Sequence, residues 1–251
     1  MVEVIFLSIV QGVTEFLPVS SSSHLVIASK YMNFKNQSLL TDVSLHIGSF
    51  LAVIAYFYKE ILNFVQNKDL FLKILISSIP VMIAGFILIQ TGFIEKIRNV
   101  EVIGWTTLLF GVLLFISDKF QLKKNLKKDF DFKAAMFIGC FQILSLIPGV
   151  SRSGITITAA RFLNFNRVDS LKISFLLSVP TLVSVSIYGL KNIFFSSDKT
   201  ILQLNLISIF LSFVFSYLTI KFFLDFIKKY NLNIFVFYRV VLGVIIIFSN
   251  L

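Results

Sequence analysis

The chain is short of the residues from which most polar sites are built. It has one cysteine (Cys140), two histidines (His24 and His46) and one tryptophan in 251 residues. A lone cysteine excludes disulfides within the chain and any cysteine-based metal site. Charged residues make up only 14%, and 13 residues are acidic. Four prolines and eleven glycines leave few points where a helix must stop. In their place stand apolar residues: 57% of the chain is hydrophobic, 30 residues are Phe, and the mean hydropathy is +0.89. No soluble domain of this size reads that way, so the chain is a polytopic membrane protein of the all-α class. The net charge of +10 would suit a nucleic acid. The basic residues, however, sit in short loops between apolar segments, where membrane topology puts them, and a nucleic-acid partner is rejected. Met1-Val2-Glu3 runs directly into apolar residues, with no basic leader and no small-residue cleavage site. The first segment is therefore expected to stay in the mature protein.

Two apolar stretches carry polar interruptions. The first segment, about Val2 to Phe16, is too short to span and is broken by Leu17-Pro18 and the serines Ser20 to Ser23. A second short helix follows, about Ser21 to Met32. Two half-length helices around a polar break predict a re-entrant hairpin. Spans are predicted at about Thr41–Tyr58, Leu70–Gln90 and Val102–Ile116, followed by the basic loop Asp118–Lys133. The pattern then recurs. Short helices at about Lys133–Ile147 and Ser151–Leu163 flank Pro148, and spans follow at about Asp169–Leu190, Leu202–Leu224 and Ile234–Phe248.

The recurrence extends to residues. Ala28 to Phe34 lines up with Ala159 to Phe165, Ser44 to Ile47 with Ser170 to Ile173, Gln11 with Gln142, and Ser20-Ser21-Ser22 with Ser151-Arg152-Ser153. Repeat 1 (residues 1–117), the basic loop (118–133) and repeat 2 (134–251) then form one integrated membrane domain. Each repeat holds one hairpin and three spans, about six spans in all, and the odd number of crossings inverts the second repeat. Loops near residues 59–73, 118–133, 161–172 and 221–229 carry fifteen lysines and arginines, and the opposite face carries six. The positive-inside rule makes the fifteen cytoplasmic and both termini external.

The breaks concentrate the chemistry. Gln11 and Glu15 are one helical turn apart and share a face. Glu15 has no basic neighbour in sequence, and an unpaired carboxylate in hydrocarbon is expensive, so Arg152 is its expected partner, directly or through a ligand. His24 lies one turn past Ser20 and Ser21 and could exchange protons with a serine or a substrate. Around Arg152 stand Ser151, Ser153 and Thr156, beyond a Pro148-Gly149 break. An arginine, hydroxyls and the N–H groups of a restarting helix suit a phosphate. Each residue also has a structural reading: Arg152 snorkelling at a hinge, Glu15 in a buried ion pair, the serines as caps. His46 falls within a span and is expected near a membrane surface. Gln142, Asp42, Asp169 and Arg239 are lesser candidates, and Arg239, just inside the last span, could instead snorkel.

Gln11 to Glu15, Leu17 to His24, and Pro148 to Gly154 together resemble the signatures of the bacterial undecaprenyl-diphosphate phosphatase family, also called the bacitracin resistance protein. The likeness covers the whole chain. Two positions depart from it: Gln11 stands where many members carry glutamate, and Ser22-Ser23 where Thr-Gly is usual. The resemblance implies hydrolysis of undecaprenyl diphosphate to the monophosphate and inorganic phosphate, an interdigitated inverted repeat, a site open to the outer face of the bacterial inner membrane, and a divalent cation, Mg²⁺ or Ca²⁺. Its functional set maps onto Glu15, Ser20, Ser21, His24, Ser151, Arg152 and Thr156, with Gln11 added. On this reading Ser21 is the nucleophile or positions the attacking water, and His24 is its acid/base partner. Glu15 and Gln11 hold the metal. Ser20, Ser22, Ser151, Arg152, Ser153 and Thr156 cradle phosphate. The partners are then a polyprenyl diphosphate and membrane lipids, with a homodimer left open. A polyprenyl-phosphate flippase or anion carrier of inverted-repeat architecture would want the same residues.

Overall fold

A computed structural model describes residues 2–32, 39–62, 68–92, 96–194 and 199–249. The helices among them are α1 (Val2–Thr14), α2 (Ser21–Met32), α3 (Leu39–Tyr56), α4 (Tyr58–Leu62), α5 (Lys68–Gln90), α6 (Val100–Asp118), α7 (Leu126–Asp129), α8 (Phe132–Ile143), α9 (Arg152–Phe162), α10 (Arg167–Phe194), α11 (Lys199–Lys229) and α12 (Asn233–Phe248). Among the described residues the only bridge of β type joins Lys124 to Phe165. The fold is all-helical, as the composition requires. Helices α5, α6 and the Leu202–Lys229 part of α11 are long and apolar enough to cross a membrane. Their outer faces bear exposed Phe86, Ile89, Leu109 and Phe210, which lipid rather than water would cover.

The element ends differ from the expected ones for local reasons. Helix α1 stops at Thr14 rather than Phe16, because Glu15 to Val19 already form the turn into the first break. The span expected to run to Tyr58 bends at the buried Phe57 and restarts as α4. The basic loop contains the turn α7, capped by the Asn125 side chain, which accepts from Lys128 N at 3.1 Å. Helices α10 and α11 run beyond their apolar cores, to Arg167–Phe194 and Lys199–Lys229.

Apolar contact alone does not drive helices together in lipid, so small residues and hydrogen bonds carry much of the packing. Ser49 of α3 meets Ser212 and Ser216 of α11 at 3.2 and 2.9 Å, and Ser212 Oγ donates to Leu45 O at 2.7 Å. Packing crosses between the halves of the chain: α1 lies on α11, α8 on α5, α3 on α10, and α6 on α12. At one end Asp118 accepts two bonds from Arg167, at 2.8 and 3.0 Å, and one from Leu232 N at 3.3 Å. Arg161, with no exposed surface, donates to Asp118 and to the carbonyls of Phe120, Gln121 and Phe165. A cavity of about 400 Å³ lined by Glu60, Asp69, Lys73, Lys127, Asp169 and Lys172 lies among the same loops. The basic loops therefore gather at one end of the bundle.

Candidate active site

Both polar breaks hold a serine at positive φ. Ser20 has φ 73° and Ser151 φ 71°, values sparsely populated by residues with a Cβ and costing about 1–3 kcal/mol each. These two serines are the ones the sequence alignment pairs. In the first break Val19 N donates to Leu17 O at 2.8 Å, and α2 begins directly after Ser20. In the second, a 3₁₀ turn (Leu144–Leu146) leads into Pro148 and Gly149. Gly149, at φ 92°, supplies a geometry that only glycine adopts freely. Ser151 then caps α9, its Oγ accepting from Gly154 N at 3.1 Å.

Irregular backbone within a membrane protein must find partners inside the protein. Arg239 supplies two of them and a third bond to α6. Its Nε donates to Thr107 O at 3.1 Å, Nη1 to Pro18 O at 3.2 Å and Nη2 to Gly149 O at 3.0 Å. One guanidinium thus ties the first break, the second break and α6 together. Arg239 does not snorkel, for it has no exposed surface. A Cβ on Gly154 would come to 2.8 Å from Arg239 Nη1, so a side chain fits there only if the clamp shifts. Ser153 Oγ donates across the breaks to Leu17 O at 2.8 Å, and Thr106 Oγ1 donates to Pro148 O at 2.5 Å.

The residues flanking the two breaks meet. Arg152 Nη2 donates to Glu15 Oε1 at 2.6 Å, joining positions 137 apart in sequence. Glu15 Oε2 accepts from Ser21 Oγ at 2.7 Å and from Gln11 Nε2 at 3.0 Å. The carboxylate is 6% exposed and the arginine 15%. Phe16, fully buried edge-on against Phe175 with centroids 5.5 Å apart, fixes the backbone beside Glu15. Glu15, Ser21 and Arg152 line a cavity of about 430 Å³ together with Ser20, Ser22, Ser151, Asp42, His46 and Arg98, while Gln11 lies buried behind Glu15. Arg152 is not snorkelling at a hinge; it faces a carboxylate at the wall of the cavity.

Several contacts differ from the expected ones. His24 is not bonded to Ser21. Its Nδ1 bonds Ser20 O at 2.7 Å, its Nε2 bonds Tyr238 Oη at 2.6 Å, and its ring stacks on Tyr238. The backbone turn at Ser20 carries its ring toward α12, and Glu15 is the group bonded to the Ser21 hydroxyl. His46, expected near a surface, lies in the cavity, with Nδ1 3.0 Å from Gln11 Nε2 and 3.7 Å from Glu15 Oε2. Ser153 and Thr156 do not line the cavity. Ser153 is committed to Leu17 O, and Thr156, with no exposed surface, donates to Arg152 O and to Ser174 Oγ at 2.7 Å. His46 was legible only as one turn beyond Asp42 on the same helix face.

A divalent cation has a restricted place to bind. Gln11 turns its amide nitrogen to Glu15, so its oxygen is not aimed at a metal held by that carboxylate. Among the described residues no group of three His, Cys, Asp or Glu side chains could hold an ion. A carboxylate offers about four acceptor positions, and on Glu15 three are filled, leaving one on Oε1. That one open position on Glu15 Oε1 fits a hard cation whose remaining ligands are phosphate oxygens of a substrate, and Asp42 lines the same cavity.

The sequence profile described as bacitracin resistance protein BacA matches residues 4–245. The undecaprenyl-diphosphatase of Pelagibacter ubique (strain HTCC1062) is 50% identical over 246 residues, covering 98% of this chain and 96% of the relative. Those of Elusimicrobium minutum (strain Pei191) and Alcanivorax borkumensis (strain ATCC 700651 / DSM 11573 / NCIMB 13689 / SK2) are 39% and 37% identical, over 100% and 98% of this chain and over 98% and 97% of the relatives. With a family profile spanning nearly the whole sequence and relatives this similar over their full lengths, the chain belongs to the bacitracin resistance protein BacA family.

Proposed function

We infer that the protein is an undecaprenyl-diphosphatase, a membrane phosphatase that hydrolyses undecaprenyl diphosphate to undecaprenyl phosphate and inorganic phosphate. The observation that carries the reading is the Glu15 carboxylate, bonded at once to the Ser21 hydroxyl and the Arg152 guanidinium at the wall of one cavity. The prenyl chain stays in lipid and the diphosphate enters the cavity. Arg152 spends one N–H on Glu15 and keeps others for the terminal phosphoryl group, whose charge it offsets as the P–O bond breaks. Ser21 is the nucleophile. Its proton passes to Glu15 Oε2, its Oγ bonds to the terminal phosphorus, and undecaprenyl phosphate leaves. Water then cleaves the Ser21 phosphoester and releases inorganic phosphate. Ser20, Ser22 and Ser151 offer hydroxyls to phosphate oxygens from the same walls. A divalent cation, Mg²⁺ or Ca²⁺, would be held by Glu15 and Asp42 together with the diphosphate, and would supply charge neutralisation.

The two-repeat organisation belongs to the same reading. It is supported by the matched φ values of Ser20 and Ser151 and by the reciprocal packing of α1 on α11 and α8 on α5. So does the orientation in the bacterial inner membrane, with the gathered basic loops cytoplasmic and the cavity open to the outer face. The excess of lysine and arginine at that end supports it. The test is phosphate release from undecaprenyl diphosphate by the purified protein in detergent, with and without chelator. Release that chelator abolishes is expected. No release in the presence of metal would leave a carrier of polyprenyl phosphates as the better account.

A further inference from the structure

The hydrogen-bond pattern around Gln11 fixes more than its own side chain. A carboxylate only accepts, so the part of the Gln11 amide 3.0 Å from Glu15 Oε2 must be the NH₂ group. The same nitrogen lies 3.0 Å from His46 Nδ1. An NH₂ group only donates, so Nδ1 must accept, and the single ring proton of neutral His46 sits on Nε2. The Gln11 oxygen is buried and has no partner among the described residues, so no group on its side calls for the opposite orientation. Glu15 therefore sets the His46 tautomer through Gln11. The His46 side chain is 25% exposed and lines the cavity, and its Nε2 has no hydrogen-bond partner among the described residues. His24 offers no such group, because both of its nitrogens are already bonded outside the cluster.

We propose that His46 is a phosphate-binding residue of this cavity, held with its proton on Nε2 by the Glu15–Gln11 relay and donating that N–H to a phosphoryl oxygen beside Arg152. The proposal rests on the reading that the cavity receives a diphosphate. It adds a neutral donor to a cavity whose other donors are the Arg98 and Arg152 guanidinium groups and hydroxyls. A neutral N–H binds phosphate without adding a second cation beside Glu15.

Two histidines make the spectroscopic test direct. In ¹⁵N-histidine-labelled protein in micelles, His24→Gln assigns the signals. His46 is expected to give the Nε2–H pattern, and its Nε2–H resonance should move on titration with inorganic phosphate or methylene diphosphonate. A hydrogen bond to a charged group is worth about 10- to 100-fold. His46→Leu should therefore lose about that much in kcat/KM, mainly through KM, while His46→Gln, which keeps an N–H donor, should stay within about threefold of the parent. An Nδ1–H pattern, a resonance unmoved by either anion, or a leucine variant within threefold of the parent would overturn the proposal. An active wild-type protein with an unmoved His46 sinks this inference alone. A wild-type protein that releases no phosphate and moves no histidine signal sinks the diphosphatase reading with it.

Discussion

Replacing Arg239 with lysine isolates the geometry of the clamp from its charge. The wild-type guanidinium reaches Thr107 O, Pro18 O and Gly149 O from three separate nitrogens, at 3.1, 3.2 and 3.0 Å. Lysine keeps the positive charge, so the cost of burying a cation changes little. It offers one nitrogen, which cannot reach three carbonyls disposed around a planar fork. Thr107 O sits inside α6 and keeps its helical partner, so one or both of Pro18 O and Gly149 O are left without one. At about 1–3 kcal/mol for each buried unsatisfied group, the variant should lose about 1–6 kcal/mol, toward the lower end where water enters from the cavity. Denaturant titration of the purified protein in mixed micelles measures the loss. Activity should fall as well, because Pro18 and Gly149 set the approach to Ser21 and Arg152. A lysine variant within about 0.5 kcal/mol of the parent would refute the clamp, since that is the range of an inert surface change.

Other outcomes follow from the same contacts. Ser21→Ala should lower phosphate release by at least about 10²-fold, since it removes the nucleophile that Glu15 holds at 2.7 Å; retained activity would hand the attack to water. Gly154→Ala should cost about 1–3 kcal/mol in the same denaturant assay, because its Cβ would press to 2.8 Å from Arg239 Nη1; a neutral result would mean the clamp has room to move. A reporter fused after Leu251 should respond as external, opposite one inserted in the 118–133 loop. Finding both on one side would overturn the inverted topology.

Much of the site could be read in the sequence because hydrocarbon makes polar residues conspicuous. Glu15 and Arg152 were each too costly to leave alone, and the structure joins them at 2.6 Å. Pro18 and Pro148 marked both breaks. What stayed hidden was side-chain direction. Helices that meet lipid on one side and protein on the other are apolar all round, so hydropathy gives no inward face. His46 therefore read as a surface histidine, although Ser44, Gly48 and Ser49 beside it are the small residues of a packed face. Thr156 read as a phosphate ligand because it follows the arginine by one turn, yet its hydroxyl turns to Ser174. Arg239 lies six residues into α12, in reach of a snorkelling explanation, and only the carbonyls left open by two distant breaks explain its burial.

The central claim is that Glu15 and Arg152 act as one unit on a shared substrate. A double-mutant cycle in kcat/KM for phosphate release tests it, using Glu15→Gln, Arg152→Lys and the pair together. Residues that work as a unit are strongly non-additive, so the double variant should be no more than a few-fold worse than the poorer single one. Losses that simply multiply would contradict the claim, for they would mean that the carboxylate and the guanidinium contribute separately.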